Sequence, residues 1–286
     1  MRHTGQGERP ERGTCAHTHI RTDAFVTVDA DTLLEKNALA TILARRESSG
    51  AACVAGNLLV ADTNRWVQRM QIYDYLISIA AVKRYQGSYG ATLVAQGAFS
   101  AYETCAVKQI GGWTQGAGED IVLTYRLLAL GRVSLYEPRA VGFTTVPRTL
   151  RGLWRQRARW ARGMFEGLHA VKPWQQPTLY GGYFEALNLS ILYLDLAYVF
   201  GFLAGAALAL LGMPWLVGCA TLLTLPALAV GMASVYIFQR RVAGVHVKNS
   251  MAGLLCFAVL FQPVQSLCSL DGYARALLGC RLNWKT

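Results

Sequence analysis

Three groups of polar residues in the 286-residue chain have the types and spacing that suit chemistry on a phosphate-activated substrate. In chain order they are Asp29 and Asp31; Glu119 and Asp120; and Gln156, Arg157, Arg159 and Trp160. Each group alone has an ordinary structural explanation: a turn or helix cap, a helix start, and a basic helix on a membrane surface. Their occurrence together, in this order and ahead of long apolar segments, is more specific than any one of them.

The first and third groups suit a diphosphate. Asp29 and Asp31 offer hard carboxylate oxygens, which bind Mg²⁺ or Mn²⁺ while phosphates and water complete the coordination. A departing diphosphate develops negative charge that fixed cations stabilise. Arg159 is the candidate cation, with Arg157 as a helper.

The second group suits proton transfer. An attacking hydroxyl must lose its proton, and a positioned carboxylate serves as the general base. Asp120 is the candidate for this role, with Glu119 beside it. Trp160 adds a flat aromatic face on which a sugar ring packs.

The elements that carry these groups alternate between strands and helices. "AFVTV" predicts a buried strand that stops at Asp29, so the acidic pair lies where ligands bind in open α/β sheets. A helix is predicted next, with Leu33, Leu34, Ala38, Ile42 and Leu43 on one face. "AACVAGNLLV" predicts another strand, and "WVQRMQIYDYLISIAAVKRYQ" an amphipathic helix. The helix that begins at Glu119 is expected to end at Gly131.

The second half of the chain indicates a membrane protein. Arginines alternate with apolar residues after residue 148, which is typical of a helix in the membrane interface. The uncharged runs Leu196–Gln239 and Asn249–Leu270 exceed the ~20 residues that cross a bilayer core. Asp195 is expected to be solvated at a span's edge, and Asp271 to pair with Arg275.

Composition limits the partners. The net charge of +11 lies outside the apolar runs and fits an anionic membrane face or an anionic substrate. Nucleic acid is discounted as a partner, because no zinc finger, RNA-binding aromatic signature or basic zipper occurs. We therefore expect a leader without structure at residues 1–20, an α/β domain at 21–147, an interfacial helix region at 148–178 and a membrane region at 179–286. Spans are expected at about 189–211, 215–238 and 251–270.

At these same residues the chain resembles the processive, membrane-integrated family 2 glycosyltransferases. The resemblance rests on "VDADT" at Val28–Thr32, "GED" at Gly118–Asp120, "YEPRA" at Tyr136–Ala140 and "QRARW" at Gln156–Trp160. It implies a Rossmann-like GT-A domain followed by an interfacial helix and transmembrane helices. The poly-N-acetylglucosamine synthase branch looks closest.

The resemblance also implies a reaction. It is inverting transfer of a sugar, N-acetylglucosamine, from a UDP-sugar to a growing β-linked polysaccharide at the cytoplasmic face of the plasma membrane, with extrusion of the polymer. Asp29 and Asp31 take the metal and nucleotide role, Asp120 the base role, and Gln156, Arg159 and Trp160 the diphosphate and acceptor role. Gln96 and Gly97 fall where the family contacts the acceptor. The partners implied are donor, acceptor, lipid bilayer and a membrane or export subunit.

The sequence departs from the family pattern at its start. The nucleotide-binding strand and the Lys-rich stretch that precede "VDADT" in the family are missing, so the GT-A domain is expected to be N-terminally incomplete. Two alternatives therefore stay open: a catalytically inactive truncated remnant of such a synthase, and a non-enzymatic membrane subunit.

Overall fold

The computed structural model describes residues 22–114, 116–213 and 251–279, with positions 230, 233, 237, 240 and 241. Its strands are β1 (Ala24–Val28), β2 (Thr32–Leu34), β3 (Cys53–Val60), β4 (Phe99–Glu103) and β5 (Ser134–Thr144). Its α-helices are α1 (Ala38–Ser49), α2 (Trp66–Tyr75), α3 (Val82–Ser88), α4 (Thr104–Gln109), α5 (Glu119–Ala129), α6 (Leu150–Ala170), α7 (Leu179–Ala197), α8 (Ala204–Leu210), α9 (Met251–Cys256) and α10 (Gln262–Leu277). π-Helical turns at Leu76–Ala81, Tyr198–Leu203 and Phe257–Phe261 join α2 to α3, α7 to α8 and α9 to α10.

The five strands form one sheet in the order β1-β4-β3-β5-β2. β3 is parallel to β5 and antiparallel to β4, which is also antiparallel to β1. β1, β3 and β5 therefore run in the same direction, and their carboxyl ends lie at one edge of the sheet. The short turn after β1, at residues 29–31, leads to β2 along that edge.

The sheet core is apolar on both sides of β3. All but the last residue of β3 are buried, as expected for a central strand that is covered on both faces. Ile42 of α1 and Leu123 and Leu127 of α5 belong to the same core cluster as β3. A Cβ at Gly56 would lie 2.2 Å from the ring of Phe99, so β3 needs glycine where β4 begins.

The predicted strand-helix alternation is confirmed, with one correction. Leu33 and Leu34 were expected on a helical face, but they lie in β2, opposite Phe143 and Gly142 of β5. The helix begins only at Ala38. The backbone N–H and C=O groups of β2 find their hydrogen-bond partners in β5 instead of in a helical turn. The spacing of the apolar residues alone does not show which of these two arrangements forms.

Helix α6 packs against α5 on one side and against α2 and α10 on the other. Gly272 of α10 lies so close to α6 that a Cβ there would be 2.3 Å from the carbonyl oxygen of Ala158. Val67, Met70, Leu153 and Phe261 form an apolar cluster between α2, α6 and the start of α10. The long basic helix is thus confirmed as a helix, and its position in a membrane interface stays a prediction.

A buried ion pair holds α2 to α6. The guanidinium of Arg157 lies 2.5 Å from the Asp74 carboxylate, and only 4% of the Arg157 side chain is exposed. The same guanidinium lies 4.2 Å from the ring centroid of Trp160 and 5.4 Å from that of Phe261. Removal of one partner would leave the other charge buried without compensation.

One helix in the described part of the chain is long and apolar enough to cross a membrane, namely Leu179–Gly201. It begins ten residues before the predicted span at about 189–211, because the polar-looking start of α7 is already helical. Only 17% of its most apolar window is buried. The span predicted at 215–238 lies largely outside the described residues, and the segment predicted at 251–270 is helical without qualifying by length and composition. The residues that the structure describes therefore do not support the multi-pass arrangement.

The sequence made predictions for two carboxylates near these segments, Asp271 and Asp195, and the structure tests both. Asp271 accepts hydrogen bonds from Arg275 Nε and Trp154 Nε1, both at 2.8 Å, so the predicted local pair is confirmed. Asp195 was expected to be solvated, and that prediction is wrong. Its carboxylate is buried and accepts hydrogen bonds from Ser266 (2.8 Å) and Tyr273 (3.0 Å) of α10.

The buried ion pair generates a stability prediction. Arg157→Met should lower the free energy of unfolding by about 3–5 kcal/mol, because it strands the Asp74 charge. A combined Asp74→Leu and Arg157→Met variant should recover most of that loss. As a matched control, Arg148→Met breaks the exposed pair with Asp62 (3.0 Å) and should cost less than about 1 kcal/mol. Thermal unfolding of the purified protein checks this; equal losses for Arg157→Met and Arg148→Met would contradict it.

Candidate active site

A single turn of backbone, Gln96–Ala98 before β4, touches two of the predicted site residues. The Gly97 N–H donates to Asp120 Oδ2 (3.2 Å), and the Ala98 carbonyl accepts from the Asp29 backbone N–H (3.1 Å). Asp29 at the end of β1 and Asp120 at the start of α5 are therefore both fixed to the same turn. The sheet edge brings together residues that are 91 positions apart in the chain.

Asp120 is held in place by its own helix as well. Its Oδ1 accepts from the Ile121 N–H (2.9 Å), and its carbonyl accepts from the Thr124 hydroxyl (2.7 Å). Thr124 in turn accepts from the Ala95 N–H (3.1 Å). The carboxylate keeps further acceptor positions open, and the positive end of the α5 macrodipole favours its charge.

The start of α5 is pressed against α6 at a pair of glycines. A Cβ at Gly118 would lie 2.4 Å from the Gly163 Cα, and a Cβ at Gly163 would lie 2.6 Å from the Gly118 Cα. Such distances leave no room for a side chain at either position, so the two backbones meet directly. This contact sets how far the acidic pair of α5 stands from the basic face of α6.

A side chain of α6 reinforces the same contact. Glu166 Oε2 accepts from the Ala117 N–H (2.9 Å), and Glu166 Oε1 accepts from Arg162 Nε (2.7 Å). The Gly-rich loop before α5 is therefore tied to α6 at Ala117, the residue directly before Gly118.

The carboxylates of the site are close enough to repel one another, and one arginine, Arg159, attracts them. Desolvation by the surrounding protein raises the pKa of Asp29, and the charges of Asp31 and Asp120 raise it further. Desolvation likewise raises the pKa of Glu119, and the charges of Asp120 and Asp29 add to the effect. Arg159 opposes the rise at both residues. The predicted residues Asp29, Asp31, Glu119, Asp120 and Arg159 thus share one electrostatic site.

The remaining predicted residues of α6 lie elsewhere on its surface. Arg157 was expected to help Arg159 at the diphosphate; instead its guanidinium is buried against Asp74, because the α2–α6 packing needs a cation there. Trp160 is half-buried, with its ring 6.4 Å from that of Tyr75. Gln156 carries a buried amide oxygen with no hydrogen-bond partner among the described residues.

One residue of the site was missed by the sequence reasoning. Lys83 of α3 is buried, and its ammonium donates to the amide oxygen of Gln96. The Gln96 amide nitrogen donates to the carbonyls of Gly56 (2.6 Å) and Phe99 (3.3 Å). In an amphipathic helix a lysine ordinarily faces water, so no sequence signal distinguished Lys83 from the solvated cations of that helix.

The donor set at the end of β1 fits a divalent cation. Asp29 and Asp31 supply hard oxygens. Desolvation raises the pKa of Asp29, the charge of Asp31 raises it further, and a bound cation would relieve the repulsion between the two carboxylates. Among the described residues no group of three or more His, Cys, Asp or Glu side chains has metal-site geometry. Phosphate oxygens and water would therefore have to complete the coordination, as is usual for Mg²⁺.

The sequence is similar to a known enzyme family and to individual enzymes. Residues 24–237 match the family model described as glycosyl transferase family group 2. The poly-beta-1,6-N-acetyl-D-glucosamine synthase of Staphylococcus aureus strain COL is 32% identical over 148 residues, which are 51% of this chain and 36% of that protein. The enzyme of the same name from Staphylococcus epidermidis is 32% identical over 143 residues, 49% of this chain and 35% of that protein.

A solved structure supports the fold. The mannosyltransferase PcManGT from Pyrobaculum calidifontis, in complex with GDP-Man and Mn²⁺, superposes with a TM-score of 0.52 over 93% of this chain and 65% of that chain, at 17% identity. The chain belongs to the family 2 glycosyltransferases and has a GT-A-like fold. Its alignments span about a third of the length of the two synthases.

The glycine contact generates a prediction about activity. Gly163→Ala should lower turnover of a sugar donor at least about tenfold, because the added Cβ must push α6 away from the acidic pair. Gly152→Ala in the same helix is the matched control, since the nearest atoms to its Cβ would be side-chain atoms of Pro147 and Thr149 at 3.3 Å, rather than backbone at 2.6 Å. Turnover and melting temperature measured on both variants check this. Wild-type turnover in Gly163→Ala would contradict the role assigned to the contact.

Proposed function

We propose that this chain transfers a sugar from a nucleotide-sugar to a growing β-linked polysaccharide, by inversion at the anomeric carbon. The observation that carries the proposal is the convergence of Asp29, Asp31, Asp120 and Arg159 at one edge of the sheet, in a chain that belongs to a glycosyltransferase family. These residues come from three separate elements, so their convergence is a property of the fold rather than of a local motif.

The reaction follows from the position of these groups. An acceptor hydroxyl attacks the anomeric carbon of the donor, and a new C–O bond forms as the bond from that carbon to the diphosphate breaks. The hydroxyl proton passes to the Asp120 carboxylate, and the electron pair leaves with the nucleoside diphosphate. Arg159 stabilises the charge that develops on the diphosphate. Attack opposite the leaving group gives inversion.

A divalent cation fits this scheme at Asp29 and Asp31. When bound, it would neutralise the diphosphate and orient it toward Arg159. Support comes from the donor set and from the solved mannosyltransferase, which is a complex with GDP-Man and Mn²⁺. Mg²⁺ and Mn²⁺ both suit carboxylate oxygens.

N-Acetylglucosamine from UDP-N-acetylglucosamine is the sugar we propose. Support comes from the two staphylococcal synthases, which match about half of this chain at 32% identity. Trp160, half-buried next to Arg159 in the sequence of α6, would present its ring to the acceptor sugar. Gln156, with its unpartnered amide oxygen, is proposed to contact the bound substrates.

The helix Leu179–Gly201 supports the proposal that the protein acts at the membrane. Several of its side chains, among them Tyr193 and Phe200, are 70% or more exposed, which suits contact with lipid. The catalytic domain is proposed to face the cytoplasm, where nucleotide-sugars are made, and the polymer to be extruded through the membrane part, with or without an export subunit.

The base assignment generates the first functional prediction. Asp120→Asn keeps the shape of the side chain but removes the proton acceptor, so kcat should fall at least about 100-fold. Donor affinity should change little, because the diphosphate contacts remain. Asp23→Asn, an exposed carboxylate at the start of the same sheet, is the control. Release of UDP and incorporation of labelled N-acetylglucosamine are measured in lipid nanodiscs.

Three results are informative here. Turnover lost only in Asp120→Asn supports the assignment. Full turnover in that variant contradicts it. A wild-type chain that inserts in the membrane but never releases UDP would favour the alternative, a catalytically inactive relative of the synthases.

The metal assignment generates a second prediction. A chelator should abolish turnover, and added Mn²⁺ or Mg²⁺ should restore it. Asp31→Asn should raise the metal concentration needed for half-maximal turnover by roughly tenfold or more, since one of two protein ligands is lost. Asp23→Asn should not change it. Turnover that persists in chelator would exclude a metal role for the Asp29 and Asp31 pair.

A further inference from the structure

We propose that Lys83 is a positioning residue for the transfer reaction: its buried ammonium holds, through Gln96, the turn that fixes Asp29 and Asp120, and it compensates the Asp120 charge. This inference rests on the proposed function of the same site. It adds a residue outside the three sequence groups, on a helix that supplies no other part of the site.

The first support is a continuous set of contacts. The Lys83 ammonium donates to the Gln96 side-chain oxygen. Gln96 is buried, and its carbonyl accepts from the Ser100 hydroxyl (2.7 Å) while its amide nitrogen donates to Gly56 (2.6 Å). The next two residues of the turn contact Asp120 and Asp29, respectively. Displacement of Gln96 would therefore move both carboxylates.

The second support is burial. Lys83 is 7% exposed, and lysine is almost never found at such depth unless a partner compensates its charge. Burial lowers the pKa of Lys83 to about 7, and the charge of Asp120 opposes that fall. In the described part of the chain, Asp120 on α5 is the charged group that acts on this ammonium. The polar contacts from the segment before β4 are the Gln96 amide and the Thr92 hydroxyl, which donates to the Lys83 carbonyl (3.5 Å).

These two observations exclude a purely space-filling role. A methionine or leucine would fill the same volume without the cost of burying a charge. The charge is useful at this position because it offsets the negative charge of the Asp120 carboxylate, the proposed proton acceptor. A second use is geometric, because the ammonium holds the Gln96 amide in the orientation that supports the turn.

Protonation of Lys83 gives the role a pH signature. Below about pH 7 the buried amine carries its charge, and above it the charge is lost. In the wild-type protein, the contribution of Lys83 to kcat should therefore be lost as the pH rises through this range. In the variant Lys83→Met the contribution is absent at every pH.

The experiment compares kcat for the wild type, Lys83→Met and Lys108→Met from pH 6 to pH 9, with saturating donor and metal. Lys108, an exposed lysine of α4, is the control for loss of one positive charge. We expect the ratio of wild-type to Lys83→Met kcat to fall from at least about tenfold at pH 6 to within about threefold at pH 9. The KM for the donor should change little. Lys108→Met should match the wild type throughout.

A constant ratio across the pH range would overturn the proposal, because a merely structural role does not depend on the protonation of Lys83. A ratio near one at pH 6 would overturn it as well. Other ionisations, of substrate or metal ligands, act equally on the two proteins and cancel in the ratio.

A second measurement decides the proposal without turnover. Melting temperatures at pH 6.5 are compared for Lys83→Met, Asp120→Asn and the combination of the two. If the groups interact, the combined loss should be smaller than the sum of the separate losses by at least about 2 °C. Lys108→Met combined with Asp120→Asn should be additive. Additivity in the Lys83 cycle would overturn the proposal.

The two measurements separate this inference from the proposed function. A wild-type chain without turnover would contradict the proposed function, while the melting cycle still tests the link between Lys83 and Asp120. Turnover with additive melting losses and a constant pH ratio would leave the proposed function standing and remove Lys83 from it.

Discussion

The direct contact between the backbones of Gly118 and Gly163 is the constraint on which the candidate site depends. It allows the start of α5, with its two acids, to touch α6, with its basic face. A larger residue at either position would separate them by the thickness of a side chain. Because electrostatic stabilisation and proton transfer both fall steeply with misplacement, such a separation would disconnect the proposed base, Asp120, from the proposed cation, Arg159. The hydrogen bond from Ala117 to Glu166 holds the loop in the same place.

Two arginines of α6 then have two different tasks. Arg159 faces the carboxylates and stays exposed, whereas Arg157, two residues earlier, turns inward to Asp74 and joins α6 to α2. Lys83, like Arg157, is a buried cation with a structural contact: it donates to Gln96 and so supports the turn that holds Asp29 and Asp120. The exposed charges are thus the ones assigned to substrates, and the buried charges are the ones that fix the geometry.

Sequence patterns predicted the strand that ends at Asp29, the helix that starts at Glu119 and the long basic helix, because apolar periodicity and helix punctuation are local properties. They also predicted one site for the acids and Arg159, because the three groups occur together in a fixed order, which is more specific than any single group. They failed where a tertiary partner decides the outcome. Leu33 and Leu34 pair with a strand distant in sequence, Arg157 meets a buried carboxylate, and Asp195 meets Ser266 and Tyr273. No local pattern distinguishes these from an ordinary helix face or a solvated side chain.

The most direct test of the central claim, that the end of β1 and the start of α5 form one nucleotide-sugar site, is an experimental structure with UDP and Mg²⁺ bound. We expect the cation at about 2.0–2.1 Å from carboxylate oxygens of the Asp29–Asp31 turn, as Mg²⁺ requires. The diphosphate should lie between that cation and the Arg159 guanidinium, with the Asp120 carboxylate facing the space beyond it. Nucleotide bound elsewhere, or a cation held away from both aspartates, would contradict the account.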